Sequence, residues 1–460
     1  MKHYLPMTGL FVLFVSSFSF ASGKYLIKFR SADPDVQVDF VRVYGGSLEP
    51  VSLAGRLYAW SGHGNLTVDI TNDPEIEYIQ KNHPIHLIDN PSLVSVRAQL
   101  NASVDKSTFE KRGPAYPDNP EIAKPSSEKV GSDPLLTQSW GLFTVAANQA
   151  WNKTPQGQDI IVAITDTGVD YNHPDLITNM WRNSQGLVGW DFVGKDNKPY
   201  DLSMSIGDIL FSGGNPGHGT HCAGVAAARL NNTLGTAGVA PKARIMALRF
   251  INESGRGDTA DAIKAIDFAI ENGAKIISAS WGSEGEEEKD MALREAIMRA
   301  NEKGVLFIAA AGNGRLDPQT FVAKGYDNDS DAKPMYPATY PYENIITVAA
   351  LGSDEKLASF SNWGKKSVDL GAPGVKILST VPGARYQDTI IDLGQMKVTW
   401  DGTSMATPFV AGAAAVVWSQ SPNWNMKKVK ETLLSSTVNL DQLQDKVVTA
   451  GRLDLSHAGD

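Results

Sequence analysis

Three short segments place the residue types of nucleophilic catalysis in one chain: Asp166-Thr167-Gly168, His218-Gly219-Thr220-His221 and Gly402-Thr403-Ser404-Met405-Ala406. A serine hydroxyl is a weak nucleophile near neutral pH and needs an adjacent base. Histidine titrates in the right range to be that base. A carboxylate behind the imidazole orients it and stabilises its cation. Each segment alone has a commoner structural use, such as a helix N-cap for Ser404 or a strand-end turn for Asp166. Taken together, with a glycine within two residues of each, they supply an acid, a base and a nucleophile. His218 and His221 are also spaced as metal ligands could be, but no nearby third ligand completes a zinc pattern.

These residues have to be positioned by the elements around them. Asp159 to Thr165 is a near-continuous apolar strand that ends at Asp166. Arg244 to Phe250, Lys275 to Ser280, Val305 to Ala310 and Ile345 to Ala350 are further apolar strands. Thr259 to Glu271 and Ala292 to Glu302 have helical spacing and stop at Gly273 and Gly304. Apolar strands alternating with helices predict an α/β fold, a doubly wound, mostly parallel sheet with helices on both faces. Sites in such sheets form at the carboxyl ends of the strands. Asp166 and Ala311-Gly312-Asn313 both lie just past one. A helix is expected over His221 to Leu230, directly after His218. Another, of mostly small residues, is expected to start at Ser404, with its N–H groups and positive dipole end beside the nucleophile.

The order Asp, His, Ser, with these glycine contexts, resembles the subtilisin-like serine endopeptidases (subtilases) of the subtilisin and proteinase K type. The resemblance covers about Asp133 to Asp460 and implies peptide-bond hydrolysis through an acyl-enzyme, with Asp166, His218 and Ser404 as the triad. It assigns Asn313 as the amide donor to the developing oxyanion. It assigns Ser280-Trp281-Gly282 and Gly255-Arg256-Gly257 as two strands between which a peptide or protein substrate adds its own strand, with Ala310 to Gly312 helping to line the first specificity pocket. The family usually has leucine where Trp281 stands, so Trp281 is expected to fill or reshape a neighbouring subsite. A structural calcium ion (Ca2+) is implied, held by the side chains of Asp175 and Asn232 and the carbonyls of Leu230, Leu234 and Thr236, with Asp133 as a looser match. Acidic Glu284 to Asp290 reads better as a solvated loop than as a second such site. Cys222 stands where proteinase K-type members carry a cysteine, and is expected to be a buried, inert thiol. Arg256-Gly257-Asp258 is also an RGD tripeptide, which alone would suggest adhesion. Here it falls inside the substrate-strand match.

The bulk numbers agree. The chain has 460 residues, 42% of them hydrophobic, enough for a large core. A net charge of -9 argues against a nucleic-acid binder, which would usually carry a clustered basic face. One cysteine excludes an intrachain disulfide. At the N-terminus, Lys2 and His3, the apolar run Leu10 to Phe20 and Ser19-Phe20-Ala21 have the form of a signal peptide over residues 1–21. The run is too short and too serine-diluted for a membrane anchor. Secretion, to a periplasm or the medium, is the expectation, with no stable anchor. Phe409 to Trp418 is likewise too short to span, and reads as a core helix.

Residues 22–89 resemble, by position and pattern, the ferredoxin-like inhibitory propeptide of subtilases, an intramolecular inhibitor and folding aid. Tyr25 to Phe29, Leu66 to Ile70, Glu75 to Ile79 and His86 to Ile88 are its strand candidates, and Val36 to Tyr44 is ambiguous. Residues 90–132, with Pro114, Pro117, Pro120 and Pro125 among polar residues, read as an exposed linker without a core and as the place of maturation cleavage. Lys111-Arg112 is a basic pair within it. The peptidase domain would be residues 133–460, acting as a monomer. A catalytically silent binding protein on the same fold and a narrow-specificity processing protease are the alternatives.

Overall fold

The structure is a computed structural model that describes residues 25–62, 70, 72–103, 120–125, 130–285, 290–394 and 396–458. The signal-peptide segment, all but the last residue of the strand candidate Leu66 to Ile70, the Lys111-Arg112 pair and most of Glu284 to Asp290 lie outside these residues.

The N-terminal unit contains strand β1 (Tyr25–Phe29), helix α1 (Pro34–Tyr44) and strands β2 (Ser47–Ser52), β3 (Leu57–Ser61) and β4 (Ile76–Lys81). Its antiparallel sheet has the order β2-β3-β1-β4. The ambiguous segment is a helix because its start is well signalled. Asp33 accepts the N–H of Asp35, and Pro34 fills the first turn. Phe40 of α1 then packs edge-on against Phe29 at 5.5 Å. Strand β5 (Pro84–Leu87) leaves this sheet for another, and helix α2 (Pro91–Ser103) follows.

The main sheet uses β6 (Ile161–Asp166), β7 (Gly189–Asp191), β8 (Arg244–Arg249), β10 (Ile276–Ala279), β12 (Leu306–Ala310), β14 (Ile345–Leu351), β15 (Leu370–Pro373), β18 (Val438–Asn439) and β19 (Gly451–Arg452). Its order is β18-β19-β15-β14-β12-β10-β6-β8-β7, parallel throughout except for the β18–β19 pair. Every residue of β14 is buried, as a strand covered on both faces requires. A separate small sheet joins β9 (Arg256–Asp258), β5, β11 (Trp281–Glu284) and β13 (Met335–Tyr336). Helices α5 (Thr259–Glu271) and α6 (Met291–Glu302) cover one face of the main sheet. The N-terminal unit sits on both. Leu26, Val51, Leu57 and Ile85 share an apolar cluster with Ile263 and Ile297. Lys28 pairs with Glu295 at 2.8 Å, and Glu49 bridges Lys264 and Lys195.

Two expectations need correction. The linker reading fails for residues 91–103, which form α2. Leu93 and Val96 bury against Ile209 and Leu210 of α3 (Ile206–Ser212) and against the hairpin of β16 (Thr389–Leu393) and β17 (Met396–Thr399). The proline-rich composition begins only after this helix, so the average over 90–132 concealed it. The other correction concerns the helix after His218: α4 runs His218–Ala227, so the histidine is in its first turn. Asn215 Oδ1 accepts the N–H groups of Gly217 and His218 and draws the start forward.

Helix α7 (Thr403–Gln420) crosses α4 with nearly all residues of both buried. Small residues allow this depth. A Cβ at Gly412 would lie 2.8 Å from the Ala226 carbonyl oxygen and 2.7 Å from Val239 Cβ. Gly412→Ala, made in a Ser404→Ala background, should therefore destabilise the protein by about 1–3 kcal/mol, seen as a lower midpoint in thermal unfolding.

Candidate active site

Asp166, His218 and Ser404 converge although 52 residues or more separate them along the chain. Asp166 ends β6, and His218 and Ser404 sit in the first turns of α4 and α7. His218 Nδ1 lies 2.8 Å from Oδ1 and 3.0 Å from Oδ2 of Asp166. The carboxylate is 1% exposed. Burial is the largest single influence on the imidazole and lowers its pKa, but the Asp166 charge and hydrogen bond, together with Cys222, outweigh it and hold His218 well above the ordinary histidine value. His218 Nε2 is buried without a hydrogen-bond partner. The Ser404 hydroxyl donates instead to the Ser280 carbonyl at 3.1 Å. To engage the base the Ser404 hydroxyl would have to leave the Ser280 carbonyl for another staggered position about its Cα–Cβ bond.

The serine is held by a feature of its own helix. Pro408 lies four residues on and has no N–H to give the Ser404 carbonyl. That oxygen accepts the Ser280 hydroxyl at 2.9 Å, with Cys222 Sγ at 3.5 Å. Cys222 is buried, and burial pushes its thiol pKa up. His221 turns away from the acid. Its Nε2 meets the Ile377 carbonyl at 2.9 Å, its ring stacks on Trp400 at 4.1 Å, and burial holds its pKa down to about 3.

Asn313 is oriented by the residue before the nucleophile. Its Oδ1 accepts the N–H and hydroxyl of Thr403 at 2.8 and 2.9 Å. This fixes the amide so that Nδ2 faces the cleft, where it donates to the Asp89 carbonyl at 2.9 Å. Gly402, at φ 149°, leaves room for this arrangement, since a Cβ there would sit 2.9 Å from Nδ2.

The proposed substrate strands do flank an added strand, and it is the chain's own. Strand β5 pairs Ile85 with Gly257, His86 with both Arg256 and Gly282, and Leu87 with Trp281. The Leu87 N–H also donates to the Gly255 carbonyl at 3.0 Å. The Trp281 side chain does not reach a subsite. It is 1% exposed, packs edge-on against Phe250 and Phe307, and gives its indole N–H to Thr165 Oγ1 at 3.0 Å beneath the strand. A cavity of about 400 Å³ opens beside Ile88 and Asp89, lined by Gly282, Ser283, Asn313 and Met335. Ala310 and Gly312 are buried behind it rather than lining it. A Cβ on Gly312 would meet Met335 Cε at 3.2 Å.

Sequence reasoning missed the bracket that joins Asp166 to α4. Buried Asp201 accepts the N–H and hydroxyl of Thr220, the Thr167 hydroxyl and the Asn215 amide. Thr167 Oγ1 in turn accepts the Gly219 N–H. Asn215-Pro216-Gly217 before the histidine was a readable cap signal. Nothing in the sequence marked Asp201 or Trp400.

Three of the residues expected to hold calcium, Asp133, Asp175 and Asn232, also meet. Asp133 accepts the N–H groups of Asn231 and Asn232 at 2.7 and 2.9 Å. Asp175 Oδ1 accepts the Asn232 amide at 2.7 Å, while among the described residues its buried Oδ2 is left without a close hydrogen bond, with the Tyr386 hydroxyl near the carboxylate. Burial raises the pKa of Asp175 to about 7, with the nearby Asp133 charge adding to the shift. A buried carboxylate oxygen without a donor, beside a second carboxylate, suits a hard cation. Asn232 presents its amide nitrogen to this place, so its oxygen could serve only with the amide turned over.

The family model described as Subtilase family matches residues 157–451. The chain belongs to the subtilase family. Relatives include a thermophilic serine proteinase of Bacillus sp. (strain AK1), 38% identical over 62% of this chain and 58% of that protein. Thermitase of Thermoactinomyces vulgaris is 38% identical over 63% of this chain and 85% of its own. Subtilisin E of Bacillus subtilis (strain 168) is 33% identical over 70% and 72%. As a subtilase the chain is a serine endopeptidase, and its large parallel sheet with covering helices is the expected α/β fold. A base at His218 has to be neutral, so with His218 in that role activity should be lost as pH falls through the His218 pKa. Peptide turnover followed against pH should show half-loss above 6.5. Asp166→Asn should lower the rate by about 10⁴.

Proposed function

We propose that the protein is a secreted, calcium-stabilised endopeptidase made as a self-processing zymogen. The observation that carries this reading is the Asp89 carbonyl, held by Asn313 Nδ2 at the end of a strand that the chain itself lays into the cleft. His218, Ser404 and residues 87–90 line one space of about 40 Å³, enough for about one water, so the precursor's own chain fills the cleft at this pair, while the cavity beside Ile88 and Asp89 stays open. The charged and apolar contacts of the N-terminal unit with α5 and α6 support its role as an intramolecular inhibitor. Asn82 Oδ1 accepts the Ala260 N–H and the His83 carbonyl accepts the Thr259 N–H, which satisfies two donors at the start of α5. The signal-like N-terminus supports export. Among the described residues no helix is long and apolar enough to cross a membrane.

In the proposed reaction His218 takes the Ser404 proton as the hydroxyl attacks a peptide carbonyl. Asn313 Nδ2 and the N–H groups at the start of α7 receive the negative charge that grows on oxygen, a contribution of about 10²–10³ in rate for one donor in subtilisin. Water then hydrolyses the ester with His218 again as base. Asp175 and Asp133 would hold the calcium ion, and its chemistry there is to tie the loop 230–236 to the N-terminal segment of the peptidase domain.

Wild type and Ser404→Ala, expressed side by side and weighed intact, test the reading. Wild type should lose its N-terminal unit and bind a serine-directed phosphonofluoridate, while the variant stays full length. Wild type that stays full length and resists the reagent would make the protein a binding module on this fold. Calcium is tested by thermal unfolding of Ser404→Ala. A chelator should lower the midpoint, by the equivalent of about 3 kcal/mol if calcium had been near a hundredfold its dissociation constant. Adding Asp175→Asn should abolish that response.

A further inference from the structure

Beyond Asp89 the chain does not leave the cleft. Asn90 Nδ2 donates to the carbonyls of Thr399 at 2.9 Å and Asp401 at 3.1 Å. The Ser92 hydroxyl meets the Asp401 carboxylate, three residues before the nucleophile. Leu93 and Val96 fill the apolar seat between α3 and the β16–β17 hairpin. Arg97 gives Nε and Nη2 to the Leu210 and Ile209 carbonyls, both at 2.8 Å, which lack partners within their own short helix. All of these contacts are made by residues that follow the Asp89 carbonyl held by Asn313, the half of the chain that departs when that carbonyl is attacked.

We infer that Asp89–Asn90 is the first bond the chain cuts, and that α2 is a second blocking segment that stays attached after this cut. The inference rests on the serine-protease reading and deepens it. In the step, Ser404 Oγ bonds to the Asp89 carbonyl carbon and the bond to the Asn90 nitrogen breaks. That nitrogen leaves with the proton His218 took from the hydroxyl and becomes a new amino terminus. Water splits the ester and leaves a carboxylate on Asp89. Everything before Asn90 is then bound without a covalent link and can be diluted away. Asn90 to Ser103 remains joined by the chain to the peptidase domain. A tethered segment faces its seat at an effective concentration, on the order of millimolar, that dilution does not change. The leaving-group side therefore stays closed to other substrates until α2 is removed or undocked.

The test uses the full-length precursor, sampled over time for intact mass and, after about hundredfold dilution, for hydrolysis of an internally quenched peptide that spans both sides of the cut bond. The expected result is an early pair of fragments, one ending at Asp89 and one beginning at Asn90. The diluted large fragment stays inactive until its N-terminus has moved past Ser103. In Leu93→Asp with Val96→Asp this lag disappears and activity rises with the first cut. Arg97→Ala, which leaves the apolar seat intact, shortens the lag and serves if the double variant does not fold. A first fragment ending at any other residue overturns the bond assignment. Wild-type activity that follows the first cut after dilution, or a lag unchanged in both variants, overturns the blocking role. A folded precursor that never cuts overturns the serine-protease reading along with it.

Discussion

The crossing of two buried helices is the constraint on which the site depends. His218 and Ser404 belong to the first turns of α4 and α7, so their separation is set by how closely those helices approach. A wider crossing would part base and nucleophile, and a bulkier residue at Gly412 would force one. The crossing also explains the polar bracket around Asp201. A helix that starts beneath the surface has N–H groups that water cannot reach, so they need protein acceptors. Asn215 and Asp201 take those of Gly217, His218 and Thr220, and Thr167 takes that of Gly219. The same groups that complete the helix start thus aim the imidazole at Asp166.

The second organising fact is that Ser404 begins a helix that cannot close its own hydrogen-bond ladder. Pro408 frees the Ser404 carbonyl, and Ser280 at the end of β10 takes it up. Ser280 also gives its carbonyl to the Ser404 hydroxyl. One residue beside the substrate strand therefore holds the nucleophile at two points. The neighbouring Trp281 anchors that strand from below, through the core and Thr165, which itself donates to the Ser278 carbonyl.

Much of this was legible in the sequence, unevenly. Except for α4, which is shifted by three residues, the central strands and helices of the peptidase region agree with the structure to within about two residues, because long apolar runs and glycine stops leave little choice. The meeting of Asp166, His218 and Ser404 was legible through spacing and context. What failed shares a cause. Helix α2 was hidden because its stability comes from a seat built by residues more than a hundred positions away, and the proline-rich stretch after it dominated the average. Trp281 was misplaced because alternation along a strand tells which side chains share a face, not which face is the core. Asp201 is an acceptor for donors brought to it by folding, and carries no local signal. Of the residues expected to hold calcium, the structure brings Asp133, Asp175 and Asn232 side by side, but the Asn232 amide facing Asp175 was not readable from residue type.

The lone cysteine has a further consequence. Cys222 lies 3.8 Å from His218 Nδ1 and touches both Ser280 and Ser404, beneath all of the catalytic groups. It is the sole thiol of the chain and is closed to solvent. The molecule thus carries one chemical sensor at the centre of its machinery, silent to thiol reagents while α4 and α7 stay together and exposed when they part. Its reactivity is a clock for the breathing of the catalytic core, independent of any substrate.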